Sequence, residues 1–370
     1  MKRMIAFVLL VCLSLCACGN TQDTPVTTTA APTQVTTEPT VETTEATQPA
    51  TTEAEAEVLY RHPLTGEVLA EPFTTRPVAL SMGNSKGCLP QYGLSKADIV
   101  HEIETEGGIT RLLVVFTDLE NAGQVGPIRS ARTYFNHLST SYNAPLFHCG
   151  GSPDAKAGKY DLNNKLAQWN HVDQISNSKY FYRDSDRKAQ GYKTEHTLFT
   201  TGEKLMTAMT DKKFETAEVV DYGYQFAETP EFTGETANRV LVAFRGSRST
   251  EMKYDAATGL YKSTQFYGST KKTHIDGQSD EQLTYRNVLV LMADQKLVSD
   301  GYTTRSYYQL TGSGKGYFAC DGKIVPIKWT HSKVTDSFQY TLEDGTPLTL
   351  GVGRSYVGII SDSQGKVTYE

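Results

Sequence analysis

A double glycine, Gly107-Gly108, separates two strand-like runs at residues 97–106 and 109–116, and this joint constrains the chain more than any other feature. Glycine takes left-handed backbone at no steric cost, so the pair reads as the turn of a β-hairpin. Gly126-Pro127 follows and predicts a helix start, because proline at the first helical position loses no needed N–H. Ile128, Ala131, Phe135, Leu138 and Tyr142 recur at helical spacing and would form its buried face. A short strand over residues 145–149 then runs into Gly150-Gly151-Ser152-Pro153, where Ser152 is placed to cap a short helix with Pro153 at its first position. Strands and helices mixed at this density imply an α+β domain.

The predicted helix carries Arg129 and Arg132 three residues apart in its first turn, on one face. That end of a helix is positive, which is unfavourable for cations unless an anion completes the site. The competing arrangement pairs each arginine with a carboxylate such as Glu102, Glu104 or Glu106. A second polar stretch, residues 180–201, packs Arg183, Asp184, Arg187, Glu195 and His196 between aromatic residues. It ends where Thr200 and Glu203 have capping-box spacing for another helix, running to about residue 213. Here too a solvated loop of arginine–carboxylate pairs would give the same composition.

From Asn238 onward the pattern changes to short strands and frequent glycine turns. Hairpins are expected at residues 254–261, around Asp321-Gly322 and around Asp344-Gly345, with a continuous apolar strand at 286–292. The chain therefore divides into an α+β domain at 58–213, a connector at 214–237 and a smaller β-rich domain at 238–370.

Ahead of these lies a different kind of sequence. Lys2 and Arg3 precede an apolar run, Met4 to Leu15, too short to span a bilayer as a helix of about 20 residues. Residues 1–17 are thus expected to be a secretory signal. Leu15-Cys16-Ala17-Cys18 resembles a lipobox, which makes Cys18 the expected lipid-bearing residue. Two acyl chains would hold the protein stably on the outer face of a membrane. Residues 18–57 are rich in Thr, Pro, Ala and Glu, cannot bury enough apolar surface to fold, and would act as a tether. Only Cys88, Cys149 and Cys320 then remain in the body, an odd number without a C-x-x-C, so neither a disulfide framework nor a zinc site is expected. His148 and Cys149 are adjacent in a strand and point to opposite faces, against a nucleophile–base pair. A net charge of -6 with 21% charged residues argues against a nucleic-acid partner.

Several runs resemble the YerB-like lipoproteins of Gram-positive bacteria. They are Arg76-Pro77-Val78-Ala79, residues 93–100, Glu106-Gly107-Gly108-Ile109-Thr110-Arg111, residues 126–132, His148-Cys149-Gly150-Gly151-Ser152-Pro153 and Phe181-Tyr182-Arg183-Asp184, with residues 254–261 and 325–329 in the second half. The resemblance spans the chain from about Leu59. It implies an N-terminal α+β domain, a smaller β-rich C-terminal domain and a lipoprotein leader, but no reaction. Cys149 stands where the family commonly has alanine, and Thr197 where asparagine is common.

The resulting expectation is an extracytoplasmic, lipid-anchored protein that binds an anionic or glycan ligand of the cell envelope, such as a wall polymer. Arg129, Arg132 and Arg183 would supply bidentate contacts, with Arg111, Ser130, His148, Ser152, Asp184 and His196 lining the same cleft. Tyr134, Tyr182 and Tyr192 would offer faces for sugar stacking. No cofactor motif or metal cluster is present in the sequence. A hydrolase or transferase using His148 or His196 as acid/base, and a protein-binding scaffold, are the alternatives.

Overall fold

The computed structural model describes residues 59–161, 169–215, 220–299, 301 and 303–370. The leader, Cys18 and the Thr-rich tether expected at 18–57 lie outside the described residues. No helix among the described residues is long and apolar enough to cross a membrane.

The described chain is mostly β. Its frame is an eleven-stranded sheet whose central strands come from both halves of the sequence. Ser355–Ser361 lies parallel to Asn287–Ala293 on one side and parallel to Ile99–Glu104 on the other. Ile99–Glu104 pairs antiparallel with Thr110–Phe116, which pairs antiparallel with Val78–Gly83. Leu146–His148 and His171–Asp173 complete that side in parallel register. The expected domain limits at residues 213 and 238 therefore do not coincide with a break in the sheet.

Side chains alternate across a strand, so one sequence feeds two cores. Val78, Leu80 and Met82 with Leu112 and Val114 enter one cluster, which also receives Leu205 and Ala208 and Val240, Val242 and Met252. Ala79, Ile99, Ile103, Leu113 and Val115 enter the opposite cluster, under Ala131, Tyr134, Phe135 and Leu138. The strands Val78–Gly83, Ile99–Glu104 and Thr110–Phe116 are buried along their whole length, the pattern of strands covered on both faces. One covering layer is a second, six-stranded sheet that contains Arg239–Ala243, Arg248–Asp255 and Leu260–Tyr267.

The hairpins follow their turn residues. Arg248–Asp255 and Leu260–Tyr267 join at residues 256–259, and Gly312–Cys320 pairs with Lys323–His331 across Asp321-Gly322. Both residues of that second turn have positive φ, 51° and 70°, as a two-residue type I′ turn requires. Ser152 caps the helix Pro153–Lys156 through a bond from the Ala155 N–H at 3.3 Å. The later helix is Gly202–Asp211, and its cap is Thr201 rather than Thr200, whose hydroxyl instead donates to the Tyr180 carbonyl.

One expectation is corrected. The helix predicted from Pro127 begins at Thr133 and ends at Ser141. Residues 127–132 are not helical, because the N–H groups of Ile128, Arg129 and Ala131 already have carbonyl partners on neighbouring segments. Ile128 bonds Leu198, Arg129 bonds Ser81 and Ala131 bonds Gly150, at 2.7–3.0 Å. Tertiary pairing overrode the local start signal. Consequently Arg129 and Arg132 do not share a helical face.

Candidate anion site

Arg132 follows the carboxylate alternative. Its guanidinium donates to Glu106 from Nε at 2.9 Å and from Nη2, and Nη1 donates to the Ala131 carbonyl at 2.7 Å. Arg111 and Arg305 each bring a guanidinium nitrogen to 3.6 Å from the same Glu106 oxygen. Burial alone would raise the Glu106 pKa, but the Arg132 hydrogen bonds and charge, with the Arg111 charge, outweigh it and hold the carboxyl at about 2. Arg111, itself buried, is anchored by a bond from Nη1 to the Ser130 carbonyl at 2.9 Å. Ser130 thus takes part through its backbone.

Arg129 behaves differently. The extended backbone sends it to the other side, where its Nη1 donates to the Glu195 carbonyl at 2.7 Å. Arg183 donates to the adjacent carbonyl, Thr194, at 2.6 Å. Neither has a carboxylate partner among the described residues. Burial raises the Cys149 thiol above its ordinary pKa, and the Arg183 and Arg129 charges oppose that rise. His196 belongs to the same neighbourhood. Burial first, and then the Arg129 charge, push its pKa below the usual value, which leaves the ring neutral at neutral pH. Beside it lies a surface cavity of about 440 Å³ lined by Gly87, Gln190, Gly191, Tyr192, Lys193 and His196.

The other expected site residues have their own occupations. His148 is fully buried, bonded through Nδ1 to the Gly150 carbonyl at 2.8 Å and through Nε2 to His171 at 3.0 Å, and stacked near Trp169. Burial lowers its pKa to about 4. Ser152 and Asp184 are helix caps, Asp184 accepting from the Arg187 N–H at 2.7 Å. Tyr134 is core, with its hydroxyl on the Glu104 carbonyl, and presents no face to a sugar. Among the described residues no group of three or more His, Cys, Asp or Glu side chains gathers as a metal site would require.

Two residues lie in this neighbourhood that were not among the expected site residues. Arg187 is buried and sits over the rings of Tyr92, Tyr192 and Phe199 at 4.8–4.9 Å, with carbonyls of Cys88, Pro90 and His196 as acceptors. Cys88, 108 positions from His196, places its sulfur 3.2 Å from that ring's Nδ1. The interleaved tyrosines around residue 187 were a visible hint for the first. Nothing local pointed to the second.

Comparison with known proteins agrees with this architecture. Residues 64–215 match the family described as protein of unknown function (DUF3048), N-terminal domain, and residues 240–357 match its C-terminal domain. "Putative lipoprotein YerB" of Bacillus subtilis (strain 168) is 29% identical over 321 residues, covering 81% of this chain and 86% of that protein. The crystal structure of the YerB protein from Bacillus subtilis superposes with a TM-score of 0.67 at 24% identity, over 83% of this chain and 99% of that one, a likeness of fold. Both family segments occur in order and nearly fill the described chain, so this protein belongs to the DUF3048 family, the YerB-like proteins.

Proposed function

We propose that this is a protein lipid-anchored on the outer face of the cell membrane that holds an anionic envelope ligand, a phosphate or carboxylate on a polymer or glycan, at Arg129 and Arg183. The anchor rests on the charged start, the apolar run and Leu15-Cys16-Ala17-Cys18, and the name of the Bacillus relative supports the same address. The observation that carries the binding reading is the contrast between arginines. Arg132 and Arg111 have Glu106, whereas Arg129 and Arg183 have a single backbone carbonyl each. A guanidinium has five donors in a fork that suits phosphate and carboxylate, and those two forks are largely unspent within the protein.

Titration calorimetry with a short glycerol-phosphate polymer and with a polyglucuronate tests this. Arg129→Ala and Arg183→Ala are expected to weaken binding by about 1.5–3 kcal/mol each, the range for hydrogen bonds to charged groups. Arg129→Lys recovers only part, because it lacks the two-pronged geometry. Equal affinity of both alanine variants and the parent for either polymer would remove the reading.

A further inference from the structure

The wall between the cavity and the protein interior holds chemistry that anion binding does not use. Cys88 Sγ lies 3.2 Å from His196 Nδ1 and 3.2 Å from Ser85 Oγ. His196 Nε2 faces the Glu195 carboxylate at 3.9 Å. Gly87 is part of the cavity lining, and a Cβ there would stand 2.7 Å from His196 Nε2, so only glycine lets the ring sit over the Ser85–Cys88 turn. Two arginines lie close to this turn. Arg187 Nη1 donates to the Cys88 carbonyl at 3.2 Å. A Cβ on Gly83 would meet both the Cys88 sulfur, at 2.4 Å, and Arg129 Cγ, at 3.0 Å, so the arginine stem passes beside the thiol.

We propose that Cys88 and His196 form a thiol–imidazole nucleophile at the wall of this cavity, a site of covalent modification by small anionic electrophiles. Two parts of a nucleophile–base pair are in place: an imidazole within hydrogen-bond reach of the thiol, and a carboxylate 3.9 Å from the other ring nitrogen. With its proton on Nε2 toward Glu195, the ring presents Nδ1 as acceptor. Nδ1 takes the thiol proton, the sulfur attacks carbon, and the new S–C bond forms as the bond to the leaving group breaks and its electron pair departs with the leaving anion. Cys320 supplies an internal contrast. It is as deeply buried as Cys88, which is 1% exposed, but has no imidazole partner, and burial drives its thiol up to about 12. Burial in itself therefore predicts two inert thiols, and the dyad predicts one.

Alkylation of the full chain by iodoacetamide and by iodoacetate, with Cys88, Cys149 and Cys320 followed separately by peptide mass spectrometry, decides it. Cys88 is expected to react about tenfold faster than Cys320. Its preference for iodoacetate over iodoacetamide should exceed that of free cysteine, and Arg129→Ala should lower the iodoacetate rate more than the iodoacetamide rate. His196→Ala should slow Cys88 about tenfold through loss of the base. If that variant unfolds, Cys320 labelling rises as well, and His196→Gln, which preserves bulk and hydrogen bonding without basicity, then gives the answer. Cys88 reacting no faster than Cys320, or faster in a folded His196 variant than in the parent, would overturn the proposal, because the ring would then be a cover and not a base. This outcome is independent of anion binding, which is read with polymers and without a thiol reaction.

Discussion

Replacing Arg132 with alanine isolates the ion cluster from the candidate site, and the structure sets the expected size of the effect. The substitution removes the two charged hydrogen bonds to Glu106 and one to the Ala131 carbonyl. Breaking a buried pair by deleting one partner costs about 3–5 kcal/mol. Glu106 keeps Arg111 and Arg305 at 3.6 Å, and its side chain is 23% exposed, so about 2–4 kcal/mol is the expectation here. Arg129→Ala removes one bond from a half-exposed side chain to a carbonyl, and its stability effect should stay within about 0.5 kcal/mol. Urea unfolding at neutral pH measures both. Equal losses for the two variants would refute the division into a structural arginine and a ligand-facing one. So would an Arg132→Ala variant that unfolds like the parent, since the Glu106 carboxylate would then not depend on that partner.

Three further outcomes are expected. Glu102 is fully buried and accepts from Asn84, Thr110, Thr250, Arg248 and Tyr356 at 2.6–3.0 Å, so it ties both halves of the sequence together; Glu102→Gln leaves Arg248 uncompensated and should cost about 3–5 kcal/mol in denaturant midpoint analysis. Burial raises the Asp98 pKa from 3.8 to about 6 against opposing bonds from Thr117, so the folded state holds an extra proton in that window; stability should fall by up to about 2 kcal/mol as pH rises from 4 to 6, and a flat profile for the parent relative to Asp98→Asn would contradict this. Mass spectrometry of the mature N-terminus should find Cys18 diacylated, and an unmodified Cys18 would end the anchor assignment.

The sequence by itself determined what is local. Asp321-Gly322 and Gly107-Gly108 are turns because their residues tolerate positive φ, and they sit where the strands need to reverse. Ser152 with Pro153 specifies a helix start within four residues. Buried strands were readable as apolar runs, although not which neighbours they would take. The tertiary structure decided the rest. Pro127 failed to start a helix because Leu198, Ser81 and Gly150 supplied strand-like partners, a competition in which distant carbonyls outweigh a local propensity of a kcal/mol or so. That choice separated Arg129 from Arg132, giving Arg132 to the Glu106 carboxylate and Arg129 to the Glu195 carbonyl. The Glu102–Arg248 pair and the Cys88–His196 pair join residues 146 and 108 positions apart. Such contacts are set by how distant strands and loops assemble, as where Ser355–Ser361 is inserted beside Ile99–Glu104. Short-range pattern holds no record of that insertion, because it depends on which sheet edges remain unpaired once the hairpins have formed.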